Sequence, residues 1–210
     1  MDIAVIGAGQ FGSALSGRLA RAKHSVSLSD TEAGYERLQS AVRETGASAA
    51  PTTEAVARAD VVVLAVPFSA IDDVLVPEVV AAAAGKTVID VTNPLGPDRM
   101  SLIVGCSTSA AEQIAARLPS SHVVKAFSTL LASTLATPTL AGQKLMVPVA
   151  ADDAASKATV LGLVNELGFD AVDAGPLANA RYLEPAIVLL LYLAHAGKMG
   201  TSIGLALARS

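Results

Sequence analysis

The chain has 210 residues, 52% of them hydrophobic, no Trp and a net charge of −4. That length suits one main domain with a small appendage and ample core material. A phosphate-backbone partner needs a basic face and a single strand needs stacking aromatics, so a nucleic-acid partner is not expected.

The single cysteine, Cys106, excludes an intramolecular disulfide framework and reads as a reduced core thiol of a cytoplasmic protein. The opening MDIAVIGAG has no basic n-region and runs straight into a strand pattern. The strongly apolar stretch 186–194 is shorter than the ~20 residues of a bilayer span, so no membrane partner is expected either.

Along the chain, residues 4–7 read as a buried strand. Residues 10–22 form a helix with Phe11, Leu15 and Leu19 at helical spacing. A second strand covers 24–30 and a helix 31–45. The run ADVVVLAVP, 59–67, is continuously apolar and closed by proline, as for a central parallel strand buried on both faces. A helix over 72–84 and strands over 86–94 and 121–127 follow. A strand over 144–150, a helix ending at Leu167 and a short strand over 168–175 come next. Residues 179–208 read as helical, broken near Gly197 and Gly200. This alternation predicts an α/β chain: a doubly wound, mainly parallel Rossmann sheet over 1–175 and a small C-terminal helical domain over 176–210.

GAGQFG places Gly7, Gly9 and Gly12 in the spacing G-x-G-x-x-G between a strand and a helix, the context that dinucleotide binding requires. Gly7 permits the turn, Gly9 lets a pyrophosphate approach the backbone, and Gly12 permits close packing of helix on sheet. With Ala8, Gln10 and Phe11 these residues make the phosphate loop, at a helix N-terminus whose N–H groups and dipole favour anions. Asp30, at the end of the second strand, stands where a carboxylate meets the adenine ribose and repels a 2′-phosphate. The next cation is Arg37, so the local chemistry leans to NAD over NADP. Asp30 equally reads as a helix cap, and Ser29 and Thr31 are the other residues placed to face the ribose.

Two further loops leave strands at their carboxyl ends, where ligands sit in such sheets. Val66 and Pro67 offer an apolar wall beside ribose or nicotinamide. Asn93 offers a hydrogen bond to ribose or carboxamide, although Asn93-Pro94 also reads as a plain turn.

Catalytic groups are scarce. His24, His122 and His195 are scattered, so no metal site is expected. Lys125, within HVVKAFSTL, is the weak candidate acid for carbonyl reduction, against a snorkelling lysine paired with a carboxylate. Ketone reduction requires a proton donor beside the oxygen. Hydride transfer between nicotinamide and a flavin-like ring requires chiefly stacked rings in a dry pocket.

VIGAGQFGSALSGRLA, ADVVVLAVP, VIDVTNPL and DAGPLANARYLE together resemble the deazaflavin-dependent NADP oxidoreductases, which pass hydride between NADP(H) and coenzyme F420. The resemblance implies a Rossmann domain with a small helical domain, a homodimer, and a cleft at the nicotinamide end. It implies that Gly9, Gln10, Phe11 and Gly12 cradle the pyrophosphate and that residues 29–31 meet the adenosine ribose. Val66 and Pro67 would lie near the nicotinamide, with Val147 and the Met199-Gly200 turn lining the cleft. Members using NADP are expected to carry a Ser-Arg pair after the second strand, where this chain has Asp30-Thr31. The expectation is an oxidoreductase using NAD or NADP with a deazaflavin or flavin co-substrate. The alternatives are a small-carbonyl dehydrogenase and a non-catalytic nucleotide sensor. Asn179, Arg181 and Glu184 read as a latch, capping the last helix and pairing with each other or with the Rossmann domain.

Overall fold

The computed structural model describes residues 1–105 and 107–209, so Cys106 lies outside the described residues. In chain order its first half runs β1 (Asp2–Ile6), α1 (Gln10–Arg21), β2 (Ser25–Ser29), α2 (Tyr35–Thr45), β3 (Ser48–Ala49), α3 (Thr52–Arg58) and β4 (Val61–Leu64). Next come α4 (Ile71–Val74), α5 (Pro77–Ala82), β5 (Thr87–Asp90), α6 (Ala110–Arg117) and β6 (His122–Lys125). The remainder is a β7 (Thr139–Leu140) and β8 (Gln143–Lys144) hairpin, then β9 (Met146–Ala151), α7 (Ala154–Glu166), β10 (Asp170–Asp173) and α8 (Ala180–His195).

The main sheet has the order β10-β9-β6-β5-β4-β1-β2-β3. Its pairings are parallel except β6 with β9, so the mainly parallel, doubly wound sheet is found as expected. The strand order reverses between β1 and β4, and ligands of such sheets bind at that switch point.

Alternation along each strand builds two cores, because successive side chains leave opposite faces. Ile3, Val5, Val61, Val63 and Ile89 pack with Leu15 and Leu19 of α1 and with Val160 and Val164 of α7. Ala4, Ile6, Val62, Leu64 and Val88 pack on the other side with Val56, Ile71, Val79 and Ile114. A continuous apolar run such as VVVL, buried at all four positions, is what helices on both faces demand.

Three expectations are corrected. The helix over 72–84 is two helices, divided at Pro77, which lacks an N–H and starts α5. The C-terminal helix stops at His195, and Gly200 at φ 75° turns the chain away. The tail returns to the sheet, where the Met146 N–H donates to the Leu205 carbonyl at 2.8 Å. The stretch Leu177–His195 has 19 residues with a hydropathy of 1.3, long and apolar enough to cross a membrane by composition. Its first turns carry Arg181 and Glu184, both ion-paired to the sheet domain, so this helix is docked as part of the fold.

Candidate functional site: a dinucleotide cleft at the switch point

The three loop glycines are each required for a different reason. Gly7 adopts φ 112°, and a Cβ there would lie 2.4 Å from the Ala65 carbonyl oxygen. At Gly12 a Cβ would lie 1.9 Å from the Gly7 carbonyl oxygen, so helix and loop close only around a hydrogen. Gly9 has nothing within 4 Å of the position its Cβ would take. Open space there, directly before α1, leaves room for a ligand against the backbone. Gly9 is the N-cap of α1 without a side-chain partner, and the Gln10, Phe11 and Gly12 N–H groups head the helix.

Asp30 leaves β2 beside this loop. Its Oδ2 accepts the Ala8 N–H at 3.0 Å and its Oδ1 accepts the Thr31 N–H at 2.8 Å. Oδ2 also receives Arg37 Nε at 2.9 Å and a terminal guanidinium nitrogen at 2.7 Å. Ser29 is buried and lines neither cavity; its hydroxyl is bonded to that of Thr52 at 2.5 Å. A cavity of about 280 Å³ is lined by Gly7, Asp30, Thr31, Thr52, Val66 and Val74. A wider one of about 850 Å³ runs outward past Gly9, Gln10, Ser13, Arg21 and Arg37 to Ser133.

Val66 therefore walls the same cavity as Asp30, not one further along the sheet, because the chain leaving β4 turns towards α4. Pro67 is exposed and starts a short 3-10 turn over Phe68–Ala70. Asn93 donates its amide to the Ser128 carbonyl at 2.9 Å, which ties the ends of β5 and β6 together. Its Oδ1 is buried without a partner, as are Thr92 Oγ1, Ser128 Oγ and Thr129 Oγ1. Buried polar atoms are nearly always paired, so these four at the carboxyl ends of β5 and β6 call for a partner from outside the chain. The intervening Phe127 sits at φ 59°, unusual for a bulky residue, and is held edge-on against Phe169 at 6.4 Å.

Lys125 is wholly buried, and its ammonium donates to Asp90 Oδ2 at 2.8 Å and to the Thr92 carbonyl at 2.5 Å, with Glu184 Oε1 at 2.9 Å. Wholly buried, with two hydrogen bonds and a second carboxylate beside it, the ammonium is held inside the fold, which favours the structural reading of Lys125 over the general-acid one. Glu184 also accepts the Ala110 and Ala111 N–H groups at the start of α6. Arg181 forks onto Glu112 of α6 at 2.9 and 2.5 Å. That contact holds the Glu112 carboxyl below its usual value and raises the Arg181 guanidinium. The latch thus joins α8 to α6, β5 and β6, and Arg181 and Glu184 do not pair with each other. Asn179 does not cap α8 with its side chain, which donates to the Ala174 carbonyl at 2.6 Å. Val147 is also corrected: it is wholly buried in β9 between helical layers and lines neither cavity.

The sequence profile of the family described as "NADP oxidoreductase coenzyme F420-dependent" matches residues 2–94. A provisionally assigned F420-dependent NADP reductase from Arthrobacter sp. FB24 superposes over 100% of both chains, with a TM-score of 0.89 at 28% identity. This chain belongs to the coenzyme F420-dependent NADP oxidoreductase family.

A protein of unassigned function from Sinorhizobium meliloti is 30% identical, with a TM-score of 0.74 over 86% of this chain and 87% of that one. The metalloreductase STEAP3 of Rattus norvegicus is 34% identical over 108 residues, 51% of this chain and only 21% of that protein. An imine reductase from Pseudomonas sp. shares the fold at 19% identity, with a TM-score of 0.70 over 93% of this chain and 62% of that one.

The residues of this F420-dependent oxidoreductase family member fit a nicotinamide dinucleotide. The open approach at Gly9 and the α1 N–H groups suit a pyrophosphate, and Thr31 and Asp30 stand at the ribose end. A bound NAD(P)H would supply the hydride. The α1 N–H groups would then hold the phosphates, and Val66 and Val74 would wall the cavity beside Asp30. Ser128 and Thr129 are not marked out by the sequence. Hydroxyls in a loop are common, and only burial without a partner distinguishes them. Among the described residues no cluster of His, Cys, Asp and Glu is placed to hold a metal ion.

Proposed function

We propose that the chain transfers a hydride between NAD(P)H and a deazaflavin or flavin ring. The observation carrying this reading is the burial of Lys125, held between the Asp90 and Glu184 carboxylates away from solvent. A carbonyl substrate needs a proton at its oxygen as the hydride arrives, whereas a ring acceptor takes the hydride on stacking alone. The four unpaired buried oxygens on Thr92, Asn93, Ser128 and Thr129 suit the amide-rich edge of a nicotinamide or deazaflavin.

The test follows the absorbance of NADH and of NADPH with purified protein against deazaflavin, FMN and FAD in turn. Steady oxidation with one ring acceptor is expected. Binding of the nucleotide without oxidation by any of the three refutes the reading and favours a carbonyl substrate or a sensor.

The working unit in this reading is a homodimer. Tyr182, Leu189 and Tyr192 are 74%, 57% and 56% exposed on the outer side of α8. At spacings of seven and three they form one apolar stripe, which a second copy covers at little cost.

A further inference from the structure

Asp30 and the family disagree about the cofactor. A bare carboxylate at the end of β2 repels a 2′-phosphate, yet the family is one of NADP enzymes. The Asp30 carboxylate is not bare. It is 5% exposed, and Arg37 holds its Oδ2 through two N–H groups at 2.9 and 2.7 Å. The pair has a place built for it: a Cβ on the buried Gly34 would lie 2.5 Å from Asp30 Cγ and 2.7 Å from an Arg37 terminal nitrogen. Only a glycine at 34 lets the two side chains meet.

The pair also stands between two spaces. Asp30 lines the cavity of Thr31, Thr52 and Val66, while Arg37 lines the one that holds Gly9, Gln10 and Arg21. Arg37 remains 55% exposed. A guanidinium has five N–H donors, and two are spent on Asp30, so three stay available for an anion. A planar fork of that kind matches a phosphate.

We infer that Arg37 is the residue that admits the 2′-phosphate of NADPH to this site, by cancelling the charge of Asp30 and offering its outward N–H groups. The arrangement replaces the Ser-Arg pair expected directly after β2 with an arginine in the first turn of α2. Asp30 then serves to aim Arg37, through the same oxygen that anchors the glycine loop at Ala8. NADH has no group for Arg37, so Arg37 acts on the choice between the two cofactors. The inference rests on NAD(P)H being the ligand, as proposed above.

Calorimetric titration of NADPH and NADH, with no acceptor present, tests it. For Arg37→Gln the ratio of NADPH to NADH affinity is expected to fall about 10- to 100-fold, the range for a lost charge-assisted contact. Arg37→Lys, which keeps the charge and loses the fork, is expected to fall between. An unchanged ratio overturns the inference, whether both affinities drop together or neither moves. The wild-type protein supplies a check independent of any variant's folding: NADPH affinity must weaken more steeply with salt than NADH affinity. Parallel salt curves overturn it as well. If the wild type binds neither nucleotide, the functional reading itself fails and takes this inference with it.

Discussion

Replacing Lys125 by methionine separates a structural lysine from a catalytic one. Methionine keeps the length and apolar stem but removes the ammonium from between Asp90 and Glu184. Their side chains are 0% and 2% exposed, so water cannot compensate them. Asp90 retains the Thr92 N–H, and Glu184 retains the Ala110 and Ala111 N–H groups, so neither carboxylate is wholly stranded. Removing one partner of such a buried pair costs about 3–5 kcal/mol. For a chain of this size each kcal/mol moves the thermal midpoint by about 2–4 °C, so a fall of roughly 6–20 °C is expected. Differential scanning calorimetry measures it. The double variant Lys125→Met, Asp90→Asn should regain part of the loss, since the Glu184 carboxylate keeps both N–H donors at the start of α6. Well below its midpoint, Lys125→Met should still bind NADPH and turn over. A variant as stable as wild type but depressed about 100-fold or more in turnover would refute the reasoning and restore the lysine as an acid.

Four further outcomes are expected. Gly9→Val should shift the midpoint by no more than about 2 °C, as its Cβ meets nothing, yet abolish nucleotide binding in calorimetry. Gly12→Val should lower stability by about 3 kcal/mol or more in urea denaturation, through collision with the Gly7 carbonyl. Normal NADPH binding by Gly9→Val would disprove the phosphate loop. Arg181 depresses the Glu112 carboxyl below its ordinary 4.5, so the pair's stabilisation is complete above that value and disappears as pH falls through the lowered one. The gap in midpoint between wild type and Glu112→Gln should therefore shrink in acid; a constant gap down to about pH 3 contradicts it. Replacing both Leu189 and Tyr192 with Glu should yield a monomer by light scattering, and an undisturbed dimer would move the interface elsewhere.

Much of the fold was legible because its signals are local. DIAVI, VVVL and HVVK carry the apolar runs that burial in the sheet requires, and each is a strand of the central sheet. α3 and α6 went unseen: α3 has seven residues and α6 eight, too short for periodicity to stand out. Pro77 marks the break in the sequence, but the Ala-rich run after it favours helix strongly enough to hide the division. At the site, the glycine loop was readable because its constraint comes from the backbone itself. The roles of Lys125, Asn179 and Val147 were not, because each depends on what lies across space.

By itself the sequence determined the alternation of strand and helix, the glycine loop, and an acidic residue at the end of the second strand. The tertiary structure alone decided what those residues meet. It set Arg37 on Asp30, seven positions apart, through the space left at Gly34. It brought Asp90, Lys125 and Glu184 together from three elements. Backbone preference acts between neighbours and can be read along the chain. A charge in a low-dielectric interior is governed by whichever partner lies within about 3–4 Å, and only the packed fold selects that partner.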